Sequence, residues 1–275
     1  MRRTPLSLIA ALTVLAAPAV AESRIVCTLI EEAVGPAAEA PRNLVREGDC
    51  DERYSPASTF KIAISLMGFD AGILTTATDP VMPFRDGYVD WREAWKQPAD
   101  PTRWMKESVV WYSQQVTARL GVERFAEYVE AFDYGNKNLA GTKGEGSGLT
   151  TAWLSSSLAI SPAEQVAFLQ RMLGSELPVS ETAIENTVAI LDYGVRPGGW
   201  RVHGKTGTGL PREENGSLMW GQPFGWFVGW AERDGRTVVF ARLVQESEPP
   251  EQPAGPKTRD GLFAEYFDRA DGVPE

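Results

Sequence analysis

The sequence predicts an α+β fold, in which strands from both ends of the chain form an antiparallel sheet flanked by terminal helices, with a helical region inserted between them. Three observations carry this expectation. Residues 23 to 50 are rich in β-forming runs, residues 55 to about 193 follow a mostly helical pattern, and from Trp200 onward the pattern turns β again. Strand and helix blocks that segregate along the chain, instead of alternating, favour α+β over a doubly wound sheet. No repeat, low-complexity tract or linker divides the sequence, so residues 22–275 read as one domain.

The elements follow in order. Met1 to Ala21 reads as an export signal: Arg2 and Arg3 form a positive start, Leu6 to Ala17 is an uncharged apolar run, and Ala19-Val20-Ala21 is a small-residue cleavage site. The apolar run is short for a membrane span and no stop-transfer flank follows, so a secreted, periplasmic protein without a membrane anchor is expected. Ile25–Ile30 and Asn43–Cys50 are strand-like and separated by a Gly35-Pro36 turn signal. The two cysteines, Cys27 and Cys50, lie in these strands. In an oxidising compartment they read as a structural disulfide. Glu107–Leu120 and Val122–Asp133 are helical stretches punctuated by Gly121 and Gly135. Ser161-Pro162-Ala163-Glu164 is a capping box with proline at the first helical position. Phe224–Trp230 and Thr237–Gln245 flank Asp234-Gly235, a strong hairpin signal, and Lys257–Ala270 reads as a closing amphipathic helix.

Charge narrows the function. The 275 residues carry 27 Lys+Arg against 37 Asp+Glu, a formal net charge of −10, and the leader would remove two arginines and no acid. Nucleic-acid binding, which needs a basic face, is disfavoured, as is a polybasic membrane-surface role. One histidine and two cysteines do not make a typical zinc site, so no metal is expected.

Four constellations can carry chemistry. In Ser58-Thr59-Phe60-Lys61, a helical i,i+3 spacing brings Ser58 and Lys61 together. That is the arrangement of a serine nucleophile with a lysine base, which must be neutral to act. Apolar neighbours such as Phe60 and Ile62 would favour the neutral form. By itself the pattern is weak, with roughly half a match expected by chance. Lys205-Thr206-Gly207-Thr208, on a strand beginning near Trp200, offers a cation and two hydroxyls to a substrate carboxylate, and Gly207 room for a ligand backbone. Ser108-Val109-Val110 sits at an expected helix start, where Ser108 suits proton relay and Val110 an apolar wall. Tyr134-Gly135-Asn136 reads as a helix stop.

Together and in this order, the four motifs resemble the class D (OXA-type) serine β-lactamases, whose signature runs S-T/Y-F/V-K, S-x-V, Y-G-N and K-T-G. The similarity extends to Trp153-Leu154, to Gly225–Trp230 and to Arg259, and covers nearly the whole mature chain. It implies a serine β-lactamase/transpeptidase-like fold and a small-molecule β-lactam substrate. Ser58 would be acylated, and Lys61 would be carboxylated by CO₂ to a carbamate acting as general base, with no other cofactor. The indole N–H of Trp153 would hold the carbamate, which Val110 and Phe60 would help enclose. Ser108 and Lys205 would deliver the proton to the leaving nitrogen. Thr206, Thr208 and Arg259 would hold the substrate carboxylate, and the backbone N–H groups of Ser58 and Thr208 would form the oxyanion hole. Tyr134 and Asn136 would be positional.

His203 shares a strand face with Lys205 and offers a rival base, one this family does not use. Two departures stand out. Thr208 replaces a bulkier side chain found in many members, which leaves the substrate range open, and the cysteine pair is absent from much of the family. The nearest alternatives are a penicillin-binding protein acting on peptidoglycan and a β-lactam sensor. Val110 stands where the former usually carries asparagine, and the latter hangs from membrane spans.

Overall fold

The computed structural model describes residues 23–33, 41–142, 144, 148–213 and 215–275. The expected leader and the Gly35-Pro36 turn lie outside the described residues. Strand β1 (Arg24–Glu32) and β2 (Asn43–Gly48) open the chain. A 3-10 turn (Ala57–Phe60) runs into α1 (Lys61–Asp70). Then come α2 (Pro101–Glu107), α3 (Val110–Leu120), α4 (Val122–Ala131), α5 (Gly148–Thr151), α6 (Pro162–Leu173) and α7 (Glu181–Ala189). Strands β3 (Asp192–Val195), β4 (Arg201–Gly209), β5 (Phe224–Arg233) and β6 (Arg236–Gln245) follow, and α8 (Ala254–Leu262) closes the order with a π-helical turn, Phe263–Phe267.

All six strands form one antiparallel sheet in the order β2-β1-β6-β5-β4-β3. The α+β expectation therefore holds, and the first strand seats itself against the last. Side chains alternate across the sheet as its period of two demands. Trp226, Val228 and Trp230 of β5, with Val239, Ala241 and Leu243 of β6, face the inserted helices. Phe227, Val238 and Phe240 face the opposite way, against Leu262, Phe263 and Phe267. The β5–β6 hairpin turns at Asp234-Gly235, both at positive φ (53° and 78°), as the Asp-Gly signal requires. Cys27 and Cys50 are bonded, stapling the start of the helical region to β1. Among the described residues no helix is long and apolar enough to cross a membrane.

Gly225 decides where α8 docks. A Cβ there would lie 2.2 Å from the carbonyl oxygen of Ala254 and 2.4 Å from Thr258 Oγ1. Only a bare backbone lets the helix that bears Arg259 approach the sheet so closely.

Two helical expectations need correction. Glu107–Leu120 is not one helix: α2 ends at Glu107, Ser108 adopts φ 59°, ψ 37°, and α3 starts at Val110. The stretch between α1 and α2 holds only the 3-10 turn Glu93–Trp95 among its described helices, because Pro80, Pro83, Gly87 and Pro98 punctuate it.

Candidate active site

Where the inserted helices meet β4, a cleft of about 1630 Å³ opens. Ser58, Ser108, Val110, Lys205, Thr206, Thr208 and Arg259 all line it. Three residues of its wall, Ala57, Ser108 and Ser155, hold positive φ (49°, 59° and 50°) without being glycine. Each such backbone costs about 1 kcal/mol or more, and surrounding structure must hold it in place.

Ser58 sits on the turn Ala57–Phe60 and Lys61 begins α1, so the i,i+3 spacing places Lys61 Nζ 3.1 Å from Ser58 Oγ. Lys61 lies behind the serine and is fully buried, at 0% exposure. Burial drives its pKa well below the usual lysine range, and the charges of Lys205 and Arg92 push it the same way. Lys205 is lowered to about 7, chiefly by burial and then by Arg92 and Arg259. Its Nζ donates to the carbonyl oxygen (3.0 Å) and the hydroxyl (3.4 Å) of Thr206. The lysine thus turns to its own strand and not to Ser108.

Phe60, next to Lys61 in the chain, belongs to an aromatic wall. Phe60 packs against Tyr134 (4.9 Å between ring centroids), Trp153 (5.6 Å) and Phe125 (6.0 Å). Trp153 is fully buried, and its Nε1 has no hydrogen-bond partner. A buried N–H of this kind costs about 1–3 kcal/mol unless something accepts it.

Two residues expected at the site lie away from the cleft surface. Phe60, expected to help enclose the carbamate and to bind substrate, does not line the cleft and belongs to the aromatic wall. Gly207 does not line it either: a Cβ there would meet Pro56 O at 2.9 Å and Ser58 N at 3.3 Å. The space its bareness provides is occupied by the turn that carries Ser58, not by a ligand. Thr208 Oγ1 accepts the N–H of Gly255 at 2.9 Å, which ties α8 to β4 and leaves the hydroxyl proton free to be donated.

Tyr134 and Asn136 buttress the site from outside the cleft. Tyr134 donates to Gln165 (3.4 Å), Gln165 to Thr59 Oγ1 (2.8 Å), and Thr59 to the carbonyl of Pro56 (2.7 Å). This buried chain ends on the turn that holds Ser58. Gly135, at φ 56°, passes so close to Ala159 O that a Cβ would lie 2.2 Å away. Asn136 bonds Ser157 O (2.9 Å) and the N–H of Ala159 (3.0 Å), fixing the stretch that pairs Ile160 with Tyr54. His203 stacks on Trp230 (4.9 Å, 2° between planes) and does not line the cleft. It is a packed, buried strand residue, and that burial depresses its pKa.

Sequence reasoning missed three contributors. Ser55 donates to the carbonyl of Trp153 (2.8 Å), while its own carbonyl accepts Trp226 Nε1 (3.0 Å), joining the aromatic wall to β5. Gln165 carries the buried polar chain. Arg92 lines the cleft and acts on both lysines. None of the three had a local pattern to mark it, although Ser55-Pro56 directly precedes the Ser58 turn.

The comparisons with known proteins agree with this geometry. A family model described as the penicillin binding protein transpeptidase domain matches residues 32–268. The chain is 44% identical over 240 residues to β-lactamase OXA-9 of Klebsiella pneumoniae, covering 87% of this chain and 86% of that one. To β-lactamase OXA-1 of Escherichia coli it is 39% identical over 196 residues, covering 71% and 68%. The crystal structure of OXA-427, a class D β-lactamase, superposes with a TM-score of 0.80 at 44% identity, over 86% of this chain and 95% of that one. With its paired serine and lysine at the head of α1 and its Lys-Thr-Gly strand packed against the turn that carries the serine, the chain belongs to the class D serine β-lactamases, within the penicillin-binding transpeptidase family.

Proposed function

We propose that this enzyme opens β-lactams through an acyl-enzyme on Ser58, with Lys61 carboxylated on Nζ. The observation that carries the proposal is the buried Nε1 of Trp153, without a protein partner, in the aromatic wall around Phe60, the residue preceding Lys61. Only the neutral amine adds to CO₂, releasing a proton as the carbamate forms, and burial keeps Lys61 in that form. A carbamate here supplies a carboxylate-like base close to Ser58 Oγ, which lies 3.1 Å from Nζ. Trp153 Nε1 donates to it, and Val110 keeps water from it.

The chain's other residues do the rest. Ser58 Oγ attacks the lactam carbonyl, the C–N bond breaks, and water later hydrolyses the ester. The backbone N–H groups of Ser58 and Thr208 hold the oxyanion. Lys205, with a pKa of about 7, exchanges protons at neutral pH and serves with Ser108 to protonate the leaving nitrogen. Thr206, the free hydroxyl proton of Thr208 and the guanidinium of Arg259 hold the ring carboxylate. Cleavage of the leader near Ala21 and export to the periplasm belong to the same reading, which the Cys27–Cys50 disulfide supports.

The test is steady-state turnover of a chromogenic cephalosporin by the purified mature protein, with and without bicarbonate, across pH. Lowering the pH protonates Lys61, and a protonated amine does not bind CO₂. Turnover is therefore expected to fall on the acid side, most steeply in CO₂-depleted buffer, and to recover with bicarbonate. A single stoichiometric burst with no steady state in either buffer would overturn the proposal.

A further inference from the structure

The walls of the cleft are basic although the chain as a whole is acidic. Arg92, Lys106, Lys205, Arg212 and Arg259 line it, against Glu107 and Asp192. Asp192 is already paired with Arg201. A positive concavity on a protein of net charge −10 concentrates its field on anions entering the cleft.

Within this set Arg92 is uncommitted. The acids beside it in sequence, Asp90 and Glu93, both engage Lys96, at 3.5 Å and 3.0 Å. The guanidinium of Arg92 lies instead 5.6 Å from the ring centroid of Trp95. Among the described residues no carboxylate pairs with it. Arg259 differs on both counts: it contacts Asp260 at 2.6 Å, and it comes from α8, on the sheet side of the cleft. Next to Arg92 stands Trp91, 67% exposed, on the cleft lining and 6.0 Å from Trp95 between ring centroids.

The shape of a bicyclic β-lactam decides what meets this wall. Its ring carboxylate and its acylamino side chain lie at opposite ends, with the reactive carbonyl between them. If the carbonyl is at Ser58 and the ring carboxylate at Thr206, Thr208 and Arg259, the side chain points away from Arg259. Trp91 and Arg92 line the same cleft from the inserted region between α1 and α2, whereas Arg259 comes from α8. We infer that Arg92 recognises a second carboxylate, borne on the acyl side chain, and that the enzyme favours β-lactams whose side chain combines an aryl group with such a carboxylate. Trp91 supplies the surface for the aryl ring. The inference rests on the proposed placement of substrate at Ser58 and Arg259.

Benzylpenicillin and its α-carboxy analogue differ only in that carboxylate. The experiment measures kcat/KM for both and compares their ratio in the parent, Arg92→Gln and Arg92→Lys. The ratio of the carboxylated to the plain substrate is expected to fall about tenfold in Arg92→Gln, as for loss of one charge-assisted contact, and to recover in part in Arg92→Lys. In the unmodified enzyme the same ratio should fall as ionic strength rises from about 0.02 M to about 0.5 M, a readout that needs no variant. Equal losses on both substrates would place the effect of Arg92 on the lysines and overturn the inference. So would a ratio indifferent to both the substitution and salt while both penicillins turn over. A parent enzyme that turns over neither penicillin would overturn the Ser58 reading and this inference with it.

Discussion

Replacing Lys61 by alanine is expected to give an enzyme that acylates slowly and deacylates hardly at all. Two proton transfers need a base at this point. The first leaves Ser58 Oγ during attack, and the second leaves the water that hydrolyses the ester. Lys61 Nζ, 3.1 Å from Ser58 Oγ, is the basic group placed to serve both. Loss of a general base lowers rate by about 10²–10⁴-fold, and the step without another strong nucleophile, deacylation, should suffer most. The measurement is intact-protein mass after mixing with a penicillin: the Lys61→Ala acyl adduct should persist where that of the parent disappears within the mixing time. Normal turnover by this variant would remove Lys61 from the mechanism.

Replacing Trp153 by phenylalanine is expected to lower turnover by about 10²-fold at ambient CO₂, with partial recovery in added bicarbonate. Phenylalanine retains a ring against Phe60 and Phe125 but deletes the N–H. In CO₂-depleted buffer, where no carbamate is there to accept it, that N–H has no protein partner, so deleting it should leave thermal stability equal or higher under that condition. Lower activity with undiminished stability separates a donor to the carbamate from a core aromatic, whose trimming would lower stability. Parent-like turnover by Trp153→Phe at every bicarbonate level would show that the indole N–H plays no part.

The features that could be read from sequence are those with a local rule. The strand runs Phe224–Trp230 and Thr237–Gln245, the Asp234-Gly235 turn between them and the capping box at Ser161 each follow from rules acting over a few residues, and each stands in the structure. The motif residues Ser58, Lys61, Ser108 and Lys205 could be picked out, and the fold brings them to one cleft or directly behind it. What depended on distant contacts stayed hidden. The break at Ser108 interrupts a stretch whose apolar pattern continues through it: Ser108 caps α2 in the left-handed conformation, with φ 59° and its N–H on the carbonyl of Trp104, and has no glycine to announce it. Gly207 seemed to make room for a ligand because the turn that fills that space lies some 150 residues earlier in the chain, at Pro56–Ser58. Arg92 lies in an irregular stretch, where no periodicity tells which way a side chain faces, and the fold alone brings it to the cleft, where its charge acts on Lys61 and Lys205.

The most direct test of the central claim is carbon-13 NMR of the enzyme equilibrated with ¹³C-labelled bicarbonate, recorded beside Lys61→Ala. The account predicts a carbamate resonance in the parent that grows as the pH is raised from the acid side and is missing from the variant. A parent spectrum without that resonance, under conditions where the enzyme turns over a β-lactam, would contradict it.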